Sequence, residues 1–432
     1  MKKIGARAVL VVFLAAAVLM GTIAYVISYA DHGKDWAMFY SADNAGSEGS
    51  LTDRNGVTLA SFDAAGKYYA ADELTRRACY HVTGDYWNRT GTGLISRFWS
   101  DMHSYDYLTG TTRAERIDLR LTIDSELNRV AYQALEGRKG AVMMMNYLTG
   151  EVPVMVSTPE VDPLVADAEP ADGAYLNRCL AATFTPGSVF KLITAAAAIE
   201  NIPDIYEKTF TCLGEYDIAG VTITCAGTHY DQTFEQALAN SCNCAFAQIA
   251  VMLGQDTMMK YVEDYGFTDN HDLNGITTAA GKYLTEFAGD PELAWSGIGQ
   301  SVDLVSPYAM LRYVAAVANG GVLIEPSVVF SDDAPKTTRI LDELTANKLS
   351  GMMNYNVTAH YEPDVNFPGL RLCAKTGTAE VGGDKLPHAW FAGFLLDAEH
   401  PYAFVVIVEN GGYGLSAAGG VANALLQAAV SK

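Results

Sequence analysis

The stretch TPGSVFKLITAAAAIEN, residues 185–201, constrains the fold of this chain more than any other. Thr185 suits an N-cap and Pro186 the first helical position, and the alanine-rich run that follows ends before Pro203. A helix this apolar around its circumference has to be buried, so the rest of the chain has to enclose it. Ser188 falls in its first turn, and Lys191 at i+3 lies on the same face, one turn along. A serine hydroxyl becomes a nucleophile when a neighbouring base takes its proton. Burial against alanines and the positive end of the helix dipole both disfavour a charged amine, which is the condition for Lys191 to be that base. Taken alone the pattern is loose. Ser-x-x-Lys is expected roughly once or twice by chance in a chain this long, and a lysine reaching out to water is the commoner arrangement.

The flanking segments indicate what encloses the helix. LRLTIDSELNRVAYQALEG reads as a strand, a cap at Asp124 or Ser125, and a helix with Leu127, Val130, Ala131, Ala134 and Leu135 on one face. GAVMMMNYLTGEVPVMVS reads as two apolar strands about a Thr149-Gly150 turn. An acidic, loop-like passage around 163–172 leads into the helix, and a mostly helical region then runs to Asn319, with a capping box at Thr233 and Gln236. GLRLCAKTGT, AWFAGFLLD and YAFVVIVEN return to strands, and Ala417 to Val430 closes the chain as an apolar helix. Strands before and after a helical block predict an α+β domain over 120–432, its antiparallel sheet assembled from both ends.

The N-terminal part differs in kind. Lys2, Lys3 and Arg7 precede Ala8 to Ala30, a run without charge that is long enough to cross a bilayer of about 30 Å. The charge bias predicts a cytoplasmic tail over 1–7, an anchor over 8–30 and everything after Asp31 outside the cell membrane. Ser28 and Ala30 are small enough for signal cleavage, but signal cores run only about 7–15 apolar residues, which favours an uncleaved anchor. Residues 31–119 are polar and broken by glycine, and LTDRNGVTLASFD carries the hairpin signal Asn55-Gly56, so this part reads as a small β-rich pedestal. A net charge of −21 and a pI near 4.7 argue against nucleic acid. Of the seven cysteines, Cys212 and Cys225 flank a small hairpin and could be bridged outside the cytoplasm, while Cys242 and Cys244 suit buried thiols. The scattered histidines and the absence of His-Glu-x-x-His give a metal site little support, and no cofactor motif stands out. No Gly-x-Ser-x-Gly elbow is present, and His388 reads as a packing residue rather than a base.

Two further motifs fall where the helix needs partners. Ser241-Cys242-Asn243 lies between two helices, where hydroxyl and amide can enter a cleft; as a pattern it is expected about once by chance, and a plain helix-linking turn is the bland explanation. Lys375-Thr376-Gly377-Thr378 ends a strand whose Leu370, Leu372 and Ala374 alternate inward. Lys-Thr-Gly is expected only about a tenth of a time, its bland explanation being an edge strand protected by lysine. Together these residues fill every role in acyl transfer. Ser188 attacks a carbonyl, neutral Lys191 takes its proton, and Ser241 relays that proton to the leaving amine. Asn243 binds the substrate amide, Lys375 supplies positive potential, and the Thr376 and Thr378 hydroxyls hold a carboxylate. Gly377 lets substrate lie along the strand. Backbone N–H groups of Ser188 and Thr378 form an oxyanion hole, a term of about 3 kcal/mol per donor in comparable enzymes.

The order Ser-x-x-Lys, Ser-x-Asn, Lys-Thr-Gly resembles the penicillin-binding proteins and their serine β-lactamase relatives. GSLTDRNGVTLA, RRACYHVTGD, LRLTIDSELNRVAYQAL, SGIGQSVDLVSP and HAWFAGF resemble segments of the class B, monofunctional transpeptidases, in that order. The resemblance implies an antiparallel sheet with a helical subdomain, and an enzyme that acylates itself on the D-Ala-D-Ala end of a peptidoglycan stem peptide before passing the acyl group to a neighbouring amine. It also implies trapping by β-lactams, no cofactor, and a multi-spanning glycan polymerase as a partner. Glu48 stands where the family usually has arginine, the pedestal is short, and nothing resembling a glycosyltransferase domain precedes the core. A D,D-carboxypeptidase or β-lactamase would use the same residues with water as acceptor, and an inactive structural subunit of a wall-synthesis complex is the alternative from another class.

Overall fold

The structure, a computed structural model, describes residues 2–40, 49–63, 66–98, 105–106, 111–112, 117–165, 169–284 and 289–432; Glu48 lies outside them. Helix α1 spans Lys2–Tyr40, and within it Arg7–Ala30 has a mean hydropathy of 2.6 and is exposed along its length. At 1.5 Å per residue a span of this size is about 36 Å long, sufficient to cross a bilayer. The helix runs on past Ala30, since no proline stops it before Tyr40.

Strands β1 (Gly49–Thr52), β2 (Thr58–Asp63), β3 (Gly66–Tyr69) and β4 (Ile117–Arg120) form a four-stranded sheet in the order β3-β2-β1-β4. The Asn55-Gly56 turn joins β1 to β2, with Gly56 at a φ of +84°. Asp53 explains how this hairpin is held. Its Oδ1 accepts the N–H groups of Asn55 and Val57, both at 2.8 Å, while its Oδ2 accepts the Ser125 N–H at 3.1 Å and hydroxyl at 2.7 Å. Ser125 opens helix α2 (Ser125–Ala134), whose N-cap is Asp124. One buried carboxylate therefore shapes the hairpin and fastens it to the next unit. Arg76 adds a two-pronged pair with Asp162 at 2.9 and 2.8 Å.

The main sheet contains β5 (Gly140–Asn146) and β6 (Val154–Thr158) from the first half of the chain. Between these and the C-terminal strands come helix α3 (Lys191–Asn201), then β7 (Thr209–Cys212), β8 (Glu215–Ile218), β9 (Val221–Thr224) and β10 (Tyr230–Thr233), then helices α4 (Phe234–Ala239), α5 (Asn243–Leu253), α6 (Pro307–Ala318) and α7 (Glu343–His360). The stretch read as mostly helical thus opens with two small ribbons, β7–β10 and β8–β9. The chain ends with β11 (Leu372–Ala379), β12 (His388–Leu395), β13 (Tyr402–Val408) and helix α8 (Gly420–Val430). The sheet order is β11-β12-β13-β5-β6, antiparallel throughout, with Val408 opposite Gly140 and Tyr402 opposite Asn146.

Strand β5 is buried on both faces, which its continuous apolar sequence requires. Val142 and Met144 join a core with Leu127, Leu135, Leu425 and Leu426 of α2 and α8. Ala141, Met143 and Met145 face the larger core that contains α3 and α6. Every residue of α3 from Lys191 to Ala198 is buried. An α+β fold with its sheet built from both ends of the chain is what the pattern predicted.

Candidate active site

The serine turn departs from the expected helix start. Gly187–Phe190 form a turn of 3-10 helix, the α-helix begins only at Lys191, and the Thr185 side chain makes no cap; its carbonyl accepts the Trp390 indole N–H at 2.9 Å instead. Gly187 is the cause. Its φ is +57°, and a Cβ there would stand 2.8 Å from the Thr378 carbonyl oxygen, so only glycine lets the turn press against β11. Ser188 and Lys191 still meet, with Oγ and Nζ 3.0 Å apart.

Lys191 has no exposed surface, and burial pulls its amine down to about 8. Its Nζ lies 2.6 Å from the Ser241 carbonyl oxygen, 2.7 Å from Asn243 Oδ1 and 3.4 Å from Ser241 Oγ. A neutral amine has two N–H bonds and one lone pair. The two carbonyl oxygens take the N–H bonds, which leaves the lone pair for the proton of Ser188. Asn243 therefore faces the base as well as the cleft, and its Nδ2 donates to the Thr224 carbonyl at 2.9 Å. Its Oδ1 helps hold Lys191 and one of its two N–H bonds holds the β9 ribbon, while the amide also lines the cleft where it was expected to meet substrate.

Ser241 follows α4 with a φ of +53°, a left-handed position usually given to glycine. That backbone aims its hydroxyl between two lysines. Lys375 Nζ donates to Ser241 Oγ at 2.9 Å and to the Thr376 carbonyl at 3.1 Å, and burial, then the nearby charge of Lys191, hold its amine well below the ordinary lysine range. Lys375 is fully buried, so it does not serve as a solvated guard on the sheet edge. The cleft beside them, about 570 Å³, is lined by Ser188, Ser241, Asn243, Thr376 and Thr378 among others. The structure thus brings all eight expected residues to one place.

Gly377 is adjacent to this cleft for a different reason from the one expected. A Cβ at this position would meet the Pro186 carbonyl oxygen at 2.8 Å and Trp390 Cβ at 3.0 Å, so the missing side chain admits the serine turn rather than substrate. Thr376 has a partner that no motif announced. The Tyr361 hydroxyl receives the Thr376 N–H at 2.9 Å and Asn356 Nδ2 at 2.8 Å, so its own proton goes to Thr376 Oγ1 at 3.0 Å. That leaves the Thr376 proton free to point into the cleft. Tyr361→Phe should weaken β-lactam capture about tenfold, read as a higher half-saturating concentration with the limiting acylation rate unchanged. An equal fall in the limiting rate would show that Tyr361 does more than aim this hydroxyl. His388 packs edge-on to Phe184 with ring centres 5.6 Å apart, and its Nδ1 accepts the Asn410 N–H, so it takes no part in the cleft.

Cys242 and Cys244 are the buried thiols expected, but the bridge between Cys212 and Cys225 is not made. Cys212 and Cys225 are free thiols. Cys225 Sγ instead faces Cys242 Sγ at 3.9 Å, with Cys212 and His229 beside them. Scatter along the sequence concealed this group, because its members meet only when the ribbons fold onto the cap of α5.

A buried lysine beside a serine on a 3-10 turn, a second lysine across Ser241, and an edge strand bearing Lys-Thr-Gly-Thr define the class of serine acyl transferases with a lysine base. The family described as penicillin binding protein transpeptidase domain matches residues 140–427, and the chain belongs to that family. Among curated relatives, Stage V sporulation protein D of Bacillus subtilis is 29% identical over 321 residues, covering 68% of this chain and 48% of its own length. Peptidoglycan D,D-transpeptidase PbpA of Mycobacterium tuberculosis is 28% identical over 366 residues, covering 75% of this chain and 74% of that protein. The solved structure of penicillin-binding protein A from M. tuberculosis, a ceftriaxone acyl-enzyme complex, superposes with a TM-score of 0.77 at 23% identity, over 89% of this chain and 99% of that one. The D,D-transpeptidase domain of a peptidoglycan glycosyltransferase from Eggerthella lenta has a TM-score of 0.74 at 24% identity, over 90% and 99%. The fold is the penicillin-binding transpeptidase fold.

Proposed function

We propose that this chain is a membrane-anchored peptidoglycan D,D-transpeptidase. Ser188 attacks the carbonyl of the penultimate D-alanine in a stem peptide, Lys191 takes the serine proton, and terminal D-alanine leaves with a proton relayed through Ser241. The amine of a neighbouring stem then attacks the ester, which forms the cross-link and frees Ser188. The Thr376 and Thr378 hydroxyls receive the terminal carboxylate, Lys375 behind them holds Ser241 in place, and the Ser188 and Thr378 N–H groups stabilise the oxyanion. The observation that carries this reading is the Lys191 amine, buried, with both N–H bonds directed at carbonyl oxygens and Ser188 Oγ 3.0 Å away. β-Lactams, which share the geometry of the dipeptide, would acylate the same serine.

In this reading residues 1–7 are a cytoplasmic tail, 8–30 the anchor, 31–119 a pedestal and 120–432 the catalytic domain, with everything after the anchor on the extracytoplasmic side. Lys2, Lys3 and Arg7 ahead of the apolar span support the orientation. A transpeptidase tethered by one helix needs glycan strands delivered beside it, so a multi-spanning glycan polymerase is the proposed partner.

The test is a mass-spectrometric time course of the full-length protein in detergent with benzylpenicillin. A single adduct on the peptide carrying Ser188 that persists for tens of minutes is expected. Release within seconds would replace transpeptidation by β-lactam hydrolysis, and no adduct at all would overturn the reading.

A further inference from the structure

We propose that Cys212, Cys225, His229 and Cys242 form a binding site for one Zn²⁺ ion that fastens the β7–β10 region to the cap of α5, next to Ser241 and Asn243. The ligand atoms of these four residues lie within 4.8 Å of one another. A tetrahedral zinc centre with Zn–S bonds of about 2.3 Å has S···S edges of about 3.8 Å and slightly shorter S···N edges. The Cys225 and Cys242 sulfurs stand 3.9 Å apart, and His229 Nδ1 is 3.6 Å from Cys225 Sγ. Those separations already match two edges of the polyhedron. A disulfide between the same cysteines needs sulfurs about 2.05 Å apart, so one of them would have to move by almost 2 Å.

The surroundings suit thiolates. The Asn243 N–H donates to Cys225 Sγ at 3.3 Å and the Ala245 N–H to Cys242 Sγ at 3.4 Å, both from the first turn of α5, where the helix dipole favours negative charge. Such outer hydrogen bonds orient sulfur ligands and stabilise their charge. Cys212 and Cys242 are buried while Cys225 and His229 are partly exposed, which leaves a path for the ion. Cys244 borders the group, its thiol in contact with Cys225, Cys242 and Cys212 and 3.9 Å from the Ile223 carbonyl, but it is not among the four residues whose ligand atoms all lie within 4.8 Å of one another. On binding, three thiols release their protons to solvent, and Zn²⁺ is held by three thiolates and a neutral imidazole, for a net charge of −1.

The four ligands come from separate pieces: the end of β7, the residue after β9, the loop before β10, and the cap of α5. Asn243 follows Cys242 directly, and its side chain spans from Thr224 on the ribbon to Lys191. Zinc would therefore hold in register the two pieces between which Asn243 is stretched.

The test is metal analysis of the full-length protein, purified in detergent from zinc-supplemented cells, together with mass mapping of its cysteines. One zinc per chain is expected, falling below a tenth in Cys212→Ser and in His229→Ala, and retained in Cys244→Ser. Ser188→Ala should keep its zinc, so metal content is read independently of the catalytic proposal. Chelation should lower the melting temperature and slow penicillin acylation about tenfold, with both restored by added Zn²⁺. Substoichiometric zinc, zinc that survives both ligand substitutions, or a Cys225–Cys242 disulfide in the mapped peptides would each overturn the proposal. His229→Ala, at a partly exposed loop position, serves if the cysteine variant fails to fold.

Discussion

Ser188→Ala is expected to abolish covalent capture of a fluorescent penicillin while leaving the melting temperature within a few degrees of the parent. Ser188 sits on the turn against β11, and its hydroxyl touches only the Lys191 amine among the hydrogen bonds described. Removing one oxygen leaves the backbone contacts of Gly187 and Gly377 in place, so little stability is at risk. The chemical effect is of another order. Loss of the nucleophile in comparable serine enzymes costs about a millionfold in turnover, and no neighbouring group can take over. Ser241, whose hydroxyl also faces the Lys191 amine, is held by Lys375 at 2.9 Å. Undiminished labelling of the alanine variant would sink the nucleophile assignment.

The next largest effect is expected at Lys191. Lys191→Met keeps the volume of the stem and removes the base, and general-base losses typically cost about 10²–10⁴-fold. The pH profile makes the test specific. With the amine at about 8, the parent should acylate tenfold faster for each pH unit gained below that value and level off above it, because only the neutral amine accepts the serine proton. The methionine variant should lose that rise. Lys375 is buried in the same cluster and also titrates low, so a profile that survives in Lys191→Met would transfer the base to Lys375. The sign follows from burial, which outweighs every other influence on Lys191 and disfavours its charged form.

Much of this was legible in the chain. Strands β5, β6, β12 and β13 are long apolar runs with turn signals between them, and the body of α3 is bounded by its own composition. The three motifs named the residues that meet in the cleft because each sits at the end of an element with its own local signal. What stayed hidden depends on distant contacts. The 3-10 start of the serine turn follows from the Thr378 carbonyl pressing on Gly187, nearly two hundred residues away in the sequence. Gly377 reads as room for substrate until Pro186 is seen behind it. Tyr361 is an ordinary residue at the end of α7 until the fold brings it to Thr376. The Cys212, Cys225, His229 and Cys242 group belongs to the same class: two ribbons had to fold before it existed.

The seam in the middle of the sheet has a consequence for how the molecule is made. Strand β5 pairs with β13, joining residues 140–146 to 402–408, so neither core is closed until the last strand has left the ribosome. Closing so long a loop is slow, and the apolar strands made first must wait for their partner. A chain cut before Tyr402 would lose the neighbour of β5 and β12 together, leaving two unpaired edges. A stop codon anywhere before Tyr402 should therefore be as damaging as one at the start of the catalytic part.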